Sequence, residues 1–373
     1  MTGPSHAASQ RFAFLDALRG LGALGITCYH IHRYRPLEIP ADHIIPNTIQ
    51  FVVRHGWVSV QVFWVIAGFV VAYSLRRTAV GPASFGNFSL QRVLRLGTPY
   101  WTTLLVVVVL DSLTRRWAQL LPLVDDSVTL PHLAANFAFL QDVLHYGNIS
   151  AGTWFVCVDL QFGLLFTVML AIVQGLSRPL LRDGGDGKTH GLILTLVFVP
   201  LGLVSLFWFN LDDEAYSAWV IYFFHMPLFG AMAWWALEGR IPRPLFWAYA
   251  AALVGGAAYR WQLGLEYQKS LDIAVTLTTG VVVYLVGRRG HLGDWLTARL
   301  LQYLGRISYS LFLIHYPTSW LVVSAGCHWT GDNATAAVFW MALAVVVSIG
   351  AAHLMYVFVE SPSLRLVARL KPS

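Results

Sequence analysis

The stretch RFAFLDALRGLGALGITCYH, from Arg11 to His30, is apolar enough to enter a membrane and yet carries Asp16, Arg19 and His30. Charged groups inside a bilayer are costly, so they usually face the protein interior and serve a function. Arg19 and His30 are eleven positions apart, which in an α-helix is about three turns and roughly 16 Å, so both side chains lie on one face. Asp16 precedes Arg19 by three residues, a spacing that suits an ion pair. The stretch therefore predicts a transmembrane helix with one functional polar face.

Taken alone, these residues also fit a simpler interpretation. Asp16 and Arg19 would anchor the helix at one membrane surface, and His30 would extend its ring toward the other. The choice depends on whether further spans carry polar residues that would share an enclosed space with them.

The whole chain has the composition of a membrane protein. Of its 373 residues, 57% are hydrophobic and 12% are charged, and the mean hydropathy is +0.59. A soluble domain carries about twice that share of charge. The net charge of +6 is attributed to membrane topology, so we expect the lipid bilayer as a partner and no nucleic acid. We expect residues 1–373 to form a single transmembrane domain.

Hydropathy predicts an all-α protein with a bundle of about ten transmembrane helices, because hydrocarbon offers no partner to unpaired backbone groups. With the N-terminus in the cytoplasm, 18 Lys and Arg residues fall on the inner side and seven on the outer side. This bias predicts that both termini are cytoplasmic. The predicted spans lie near residues 14–31, 57–76, 97–113, 152–175, 191–209, 216–236, 244–261, 270–287, 304–325 and 335–359.

Polar residues also occur within the other predicted spans. Each of them could be a satisfied core residue, but several together favour one polar cavity inside the bundle. The three cysteines match no metal-binding or disulfide spacing, so we expect no metal and no permanently bound cofactor. The polar residues are Asp159, Gln161, His225, His315 and Glu360.

Two arginines, Arg92 and Arg95, lie in FSLQRVLRLGTPYW (88–101), which we expect to be an inner loop just before a span. Guanidiniums three residues apart can bind phosphate groups bidentately. The same two residues also fit as positive anchors that contact lipid headgroups.

Six segments, in order along nearly the whole chain, resemble the integral-membrane acyltransferase 3 family, which O-acylates sugars, polysaccharides and some antibiotics. The first matches the family's opening pattern, with its arginine and histidine at Arg19 and His30. In the fourth, Asp159 stands where the family usually has glutamate. The segments are FLDALRGLGALGITCYH (14–30), VFWVIAGFVVAYSL (62–75), LQRVLRLGTPYW (90–101), TWFVCVDLQFGLLF (153–166), LGRISYSLFLIHYP (304–317) and VFVESPSLRL (357–366).

The resemblance implies transfer of an acyl group, commonly acetyl, from cytoplasmic acyl-CoA to a hydroxyl of a sugar, glycan or small metabolite. Histidine is the natural base near neutral pH, so we expect His30 to act as general base, or to carry the acyl group itself. Arg19, partnered by Asp16, would hold the donor or orient the site, and Arg92 and Arg95 would bind CoA. The residues expected to shape the acceptor pocket are Trp154, Asp159, His315 and Glu360. We expect a multi-pass protein of a bacterial cytoplasmic membrane.

Two other functions use the same intramembrane polar residues. A proton-coupled transporter would use the Arg, His and Asp side chains as a relay and would move its substrate without an acyl donor. A membrane haem protein would need histidines, such as His30 and His315, at equal depth on facing helices.

Overall fold

A computed structural model describes residues 11–33, 41–115, 123–124, 128–182, 187–264 and 267–370. All regular structure in these ranges is helical, which confirms the predicted all-α class. The helices are α1 (Ala13–Arg33), α2 (Asn47–Arg54), α3 (Ser59–Ser74), α4 (Pro82–Leu113), α5 (Leu130–Phe137), α6 (Thr153–Arg182), α7 (Gly187–Phe207), α8 (Asp213–Tyr216), α9 (Val220–Phe223), α10 (His225–Leu237), α11 (Arg243–Gln262), α12 (Tyr267–Arg288), α13 (Arg299–Thr330), α14 (Ala334–Met355) and α15 (Ser361–Arg369).

Within the described ranges, six helical segments are long and apolar enough to cross a membrane. Neither α1 nor α13 is among them, because both carry the polar residues that the sequence placed inside the bundle. The count of ten spans and the cytoplasmic position of both termini stay predictions. The six segments are Asn47–Ser74, Pro82–Leu113, Thr153–Pro179, Lys188–Leu211, Tyr267–Arg288 and Ala334–Arg369.

Helix α4 begins fifteen residues before the predicted span. Pro82 occupies the first turn, where its missing N–H costs nothing, and the Gly81 N–H donates to Ser84 Oγ at 2.7 Å. Arg92 and Arg95 therefore lie within a helix and not in the expected loop. Their three-residue spacing places them one turn apart on α4.

The predicted sixth span is also different, because it is divided between α9 and α10 at Phe224. Pro227 lies in the first turn of α10, where a proline is tolerated. The Gln161 side chain accepts from the Val220 N–H at 3.0 Å and donates to the Ala218 carbonyl at 3.0 Å, so it holds the start of α9.

Two pairs of helices run parallel and in close contact. Gly68 of α3 lies against Pro227 near the start of α10, and Tyr73 contacts Trp234 further along both helices, so α3 and α10 point the same way. In the second pair, Gly20 of α1 lies against Gly305 of α13, and His30 lies against His315. Both of these contacts join residues 285 positions apart, so α1 and α13 also run parallel and in register.

The connection between α4 and α6 packs against both helices. Tyr100 Oη donates to the Asn136 carbonyl at 2.9 Å, and Trp101 Nε1 donates to the Phe137 carbonyl at 2.9 Å. Gln141 Nε2 donates to Cys157 Sγ at 2.9 Å. Residues 116–122 and 125–127 of this connection lie outside the described residues.

Candidate active site

Glycines fix the distance between α1 and α13. A β-carbon at Gly20 would lie 2.6 Å from Gly305 N, and one at Gly305 would overlap the Asp16 carbonyl. Only residues without a side chain permit this approach. The close contact brings the polar face of α1 against α13 along its length.

Ten residues beyond this contact, His30 and His315 form a direct hydrogen bond. His30 Nδ1 and His315 Nε2 are 2.6 Å apart, and the two rings are nearly parallel, with an interplanar angle of 7°. His30 is 9% exposed and His315 is fully buried. The structure thus joins two histidines that the sequence placed in separate spans.

The partners of His315 determine which nitrogens of the pair carry protons. His315 Nδ1 lies 3.0 Å from the Leu311 carbonyl, which can only accept, so this nitrogen is the donor. In a neutral ring, His315 Nε2 then accepts, and His30 Nδ1 donates to it. His30 Nε2 is consequently the nitrogen with a lone pair, as a general base requires.

A small cleft opens beside His30. Its volume is about 10 Å³, which is room for one water molecule. A hydroxyl group that enters the cleft would meet the imidazole. The lining residues are His30, Ile31, Tyr316, Ser319, Trp320 and Val323.

A second polar group, the arginine cluster, consists of Arg19, Arg92, Arg95, Asp159, Ser310 and Glu360. Arg92 Nη2 donates to Asp159 Oδ1 and to the Asp159 carbonyl, both at 2.8 Å. Ser310 Oγ donates to Glu360 Oε2 at 2.6 Å. Arg19 interacts electrostatically with Arg95, Asp16, Glu360 and Asp159. The members of this cluster come from five segments that are distant in the sequence.

The arginine cluster lies on the N-terminal side of the histidine pair along α13. Ser310 and His315 are five residues apart on one helix, about 7.5 Å along its axis. Glu360 reaches Ser310 from a π-helical turn, Tyr356–Glu360, that follows α14. Such turns are frequent at functional sites. The two polar groups therefore lie about a turn and a half apart along α13.

The predicted ion pair between Asp16 and Arg19 is not formed. Asp16 Oδ2 instead accepts from Arg11 Nε at 2.9 Å, and Arg11 also donates to Gln302. Arg11 precedes the first residue of α1, so helical spacing could not reveal this partner. Asp16 holds Arg11 beside the start of α1, and it acts on Arg19 only as a nearby charge.

Other predicted members lie elsewhere. Trp154 contacts the rings of Phe155 and Phe223. Phe155 in turn contacts Phe312, whose ring lies 6.4 Å from that of His315, so two rings separate Trp154 from the pair. His225 belongs to a separate group, in which its Nδ1 contacts Ser205 Oγ at 3.0 Å.

Sequence reasoning missed Ser310 and Gly163. Ser310 lies five residues before His315 in the same motif, and that position was the available signal. Gly163 lies one turn after Asp159, and a β-carbon there would overlap the guanidinium of Arg92. Nothing in the sequence alone indicated this contact, since it depends on the packing of α4 against α6.

The histidine pair does not have the geometry of two axial haem ligands. Its 2.6 Å separation is a hydrogen-bond distance, whereas two opposed metal–nitrogen bonds of about 2 Å would hold the nitrogens roughly 4 Å apart. Among the described residues, no group of three or more His, Cys, Asp or Glu side chains could hold a metal ion.

Comparison with known proteins adds a family to this geometry. The acyltransferase domain family, Acyl_transf_3, matches residues 12–356. A Bacillus subtilis (strain 168) protein, YrhL, which is named as a candidate peptidoglycan O-acetyltransferase, is 23% identical over 381 residues. The match covers 93% of this chain and 54% of YrhL, so the chain spans about half of that relative's length. No solved structure matches the chain. The chain belongs to the acyltransferase 3 family.

Proposed function

We propose that this protein is a membrane O-acyltransferase. It moves an acyl group, most simply acetyl, from acyl-CoA to a hydroxyl of a carbohydrate or small metabolite. The observation that carries the proposal is the hydrogen-bonded chain from the Leu311 carbonyl through His315 to His30. This arrangement leaves a lone pair on His30 Nε2, and His30 lines a cleft with room for a hydroxyl-sized group. Family membership supports the acyl chemistry.

In the proposed reaction, His30 Nε2 takes the proton of the acceptor hydroxyl as its oxygen attacks the thioester carbonyl. A carbon–oxygen bond forms, and the tetrahedral intermediate then collapses. The carbon–sulfur bond breaks, and the departing CoA thiolate recovers the proton from His30. His315 holds the tautomer of His30 and stabilises the imidazolium that forms, as an oriented partner does for a catalytic histidine.

A relay through an acyl-histidine uses the same residues. His30 Nε2 would attack the thioester carbonyl itself, and the carbon–sulfur bond would break to release CoA thiolate. The acceptor hydroxyl would then take the acyl group from His30 as the carbon–nitrogen bond breaks, and its proton would go to the thiolate. The two routes differ in one observable, which is an acetyl adduct on His30 when donor is supplied without acceptor.

The two polar groups suggest a direction for the substrates. We propose that the N-terminal end of α1 faces the cytoplasm of a bacterium, as the distribution of Lys and Arg indicates. Acyl-CoA would then reach the arginine cluster from inside, with its phosphates near the guanidiniums and its acyl end toward His30. The acceptor would approach the His30 cleft from the outer side. YrhL is named for peptidoglycan, so a cell-wall glycan is the first acceptor to test.

Mass spectrometry of surface glycans and metabolites tests the proposal. We expect one compound to gain the mass of one acyl unit when the gene is present and to lose it when the gene is deleted. Complementation with a His30→Ala variant should not restore the modification. Unchanged glycans and metabolites, together with substrate flux that needs no acyl donor, would favour the proton-coupled transporter.

A further inference from the structure

An open groove lies where α13 ends and α14 begins. Its volume is about 690 Å³, which is within the range of small-molecule binding sites. Its lining is separate from the histidine pair, the arginine cluster and the predicted acceptor pocket. The lining residues are Thr330, Asn333, Thr335, Ala336, Phe339 and Trp340.

Aromatic rings from both helices meet at this groove. Trp340 of α14 lies directly against α13, because a β-carbon at Gly326 would overlap its indole ring. The rings of Trp329 and Phe339 contact that of Trp340, with centroids 5.6 Å and 5.5 Å away. Trp329 is 70% exposed and Phe339 is 59% exposed. A fixed indole therefore supports two exposed rings, one from each helix.

Polar side chains lie beside these rings. Thr330, Asn333 and Thr335 line the groove, and all three are exposed. The side-chain oxygen of Asn333 accepts from the Ala336 N–H at 2.9 Å, which holds the amide group at the start of α14. Aromatic surface with a few placed hydroxyl and amide groups is typical of ligand sites. Sugars match this composition, since their ring faces carry apolar C–H groups and their edges carry hydroxyls.

The groove and the His30 cleft lie along the same part of α13. Val323 lines the cleft, and Thr330 at the groove follows seven positions later, about 10 Å along the helix axis. Trp340 packs against the buried apolar cluster that contains Ile31 and Val323, both of which line the cleft. A single sugar ring is shorter than this separation, whereas a chain of several rings can occupy both places.

We infer that the groove is a second acceptor subsite, which binds one sugar ring of a glycan while a hydroxyl of another ring enters the His30 cleft. The inference rests on the proposed function, and it narrows the acceptor from a carbohydrate or small metabolite to an oligosaccharide or polysaccharide. Trp329 and Phe339 stack on the apolar faces of the bound ring, and the neighbouring threonine and asparagine side chains hydrogen-bond to its edge.

The test compares acetyl transfer to peptidoglycan fragments of one and of four sugar rings by the purified full chain in phosphatidylcholine nanodiscs. The measured quantity is the ratio of kcat/KM for the tetrasaccharide to kcat/KM for the monosaccharide. Loss of a stacking face in Trp329→Ala should lower this ratio about 10-fold. Trp329→Phe keeps an aromatic face and should retain most of the wild-type ratio.

The matched control is Trp261→Ala. Trp261 is also 70% exposed and lies near the end of a helix, α11, and it is not among the residues that line the groove. This control should keep the wild-type ratio, and an equal ratio in Trp329→Ala would overturn the subsite. An equal loss of kcat/KM for both fragments in Trp329→Ala would also overturn it, because a tryptophan that only anchors the chain in the membrane interface does not distinguish acceptor lengths.

Two outcomes for the wild type separate this inference from its basis. If the wild type acetylates the monosaccharide and the tetrasaccharide with equal kcat/KM, the subsite is wrong while the proposed function stands. If the wild type transfers acetyl groups to neither fragment, the cell-wall glycan acceptor in the proposed function fails together with the subsite.

Discussion

Replacing Gly20 with alanine tests whether the contact between α1 and α13 positions His30. The new β-carbon would lie 2.6 Å from Gly305 N and 2.8 Å from the carbonyl carbon of Leu304. Carbon atoms in ordinary contact are about 3.5 Å apart, so the helices must separate by about 1 Å. Both neighbours are backbone atoms, and no side-chain rotation relieves the overlap.

The separation acts on the histidine pair ten residues further along α1. The His30–His315 distance of 2.6 Å would become about 3.6 Å, which is no longer a hydrogen bond. Misplacement of a catalytic group by about 1 Å can lower the rate by about 10²-fold. We expect kcat to fall by that amount, and because Arg19 adjoins Gly20 on α1, the KM for acetyl-CoA should rise as well.

The assay is transfer of radiolabelled acetyl groups from acetyl-CoA to soluble peptidoglycan fragments by protein in phosphatidylcholine vesicles, expressed per folded molecule. Gly255→Ala and Gly350→Ala are matched controls, since both glycines lie within helices and a β-carbon would meet nothing within 4 Å. Both controls should keep wild-type turnover. Turnover by Gly20→Ala equal to that of the controls would refute the positioning argument.

Three further changes test other parts of the account. His315→Ala removes the acceptor for His30 Nδ1–H, so kcat should fall roughly 10²-fold with coenzyme A binding retained; an unchanged kcat would exclude a positioning role for His315. Gly163→Ala forces Arg92 away from Asp159, and breaking a buried ion pair costs about 3–5 kcal/mol. The thermal unfolding midpoint should therefore be clearly lower than that of the control Gly175→Ala, where a β-carbon has open space. Equal midpoints in the two variants would contradict the Arg92–Asp159 contact. Burial raises the pKa of Asp42, but its hydrogen bonds with His32 and Arg54 outweigh this and hold the pKa below its ordinary value of 3.8. The stabilisation by this carboxylate is therefore complete above pH 3.8 and is lost as the pH falls through the lowered pKa. Acid should consequently lower the thermal midpoint of the wild type more steeply than that of Asp42→Asn. Parallel plots of midpoint against pH for the two proteins would contradict the contacts of Asp42 with His32 and Arg54.

The sequence was informative about features that depend on the residue pattern within a single helix. The polar face of α1 could be read from the spacing of Arg19 and His30, and the apolar runs predicted an all-helical membrane protein. Grouping Asp159, His315 and Glu360 with them needed only the cost of polar groups in a membrane. These inferences depend on local pattern, which a single chain displays.

The remaining features depend on contacts between distant segments. No pattern in the sequence indicates that His30 and His315, 285 residues apart, share a hydrogen bond. The ion pair of Asp16 was wrongly assigned because Arg11 lies outside the helix, where helical spacing does not apply. Arg92 and Arg95 looked equivalent until Gly163 and Asp159 showed that only Arg92 is enclosed by α6.

The acetyl-transfer rate of His30→Ala, measured beside its coenzyme A affinity, tests the central role of the histidine pair most directly. The account predicts that transfer falls to the uncatalysed rate while the thermal midpoint and the Kd for coenzyme A stay at wild-type values. Transfer at a near-normal rate by this variant would show that another group takes the proton of the acceptor hydroxyl, and the proposed mechanism would be wrong.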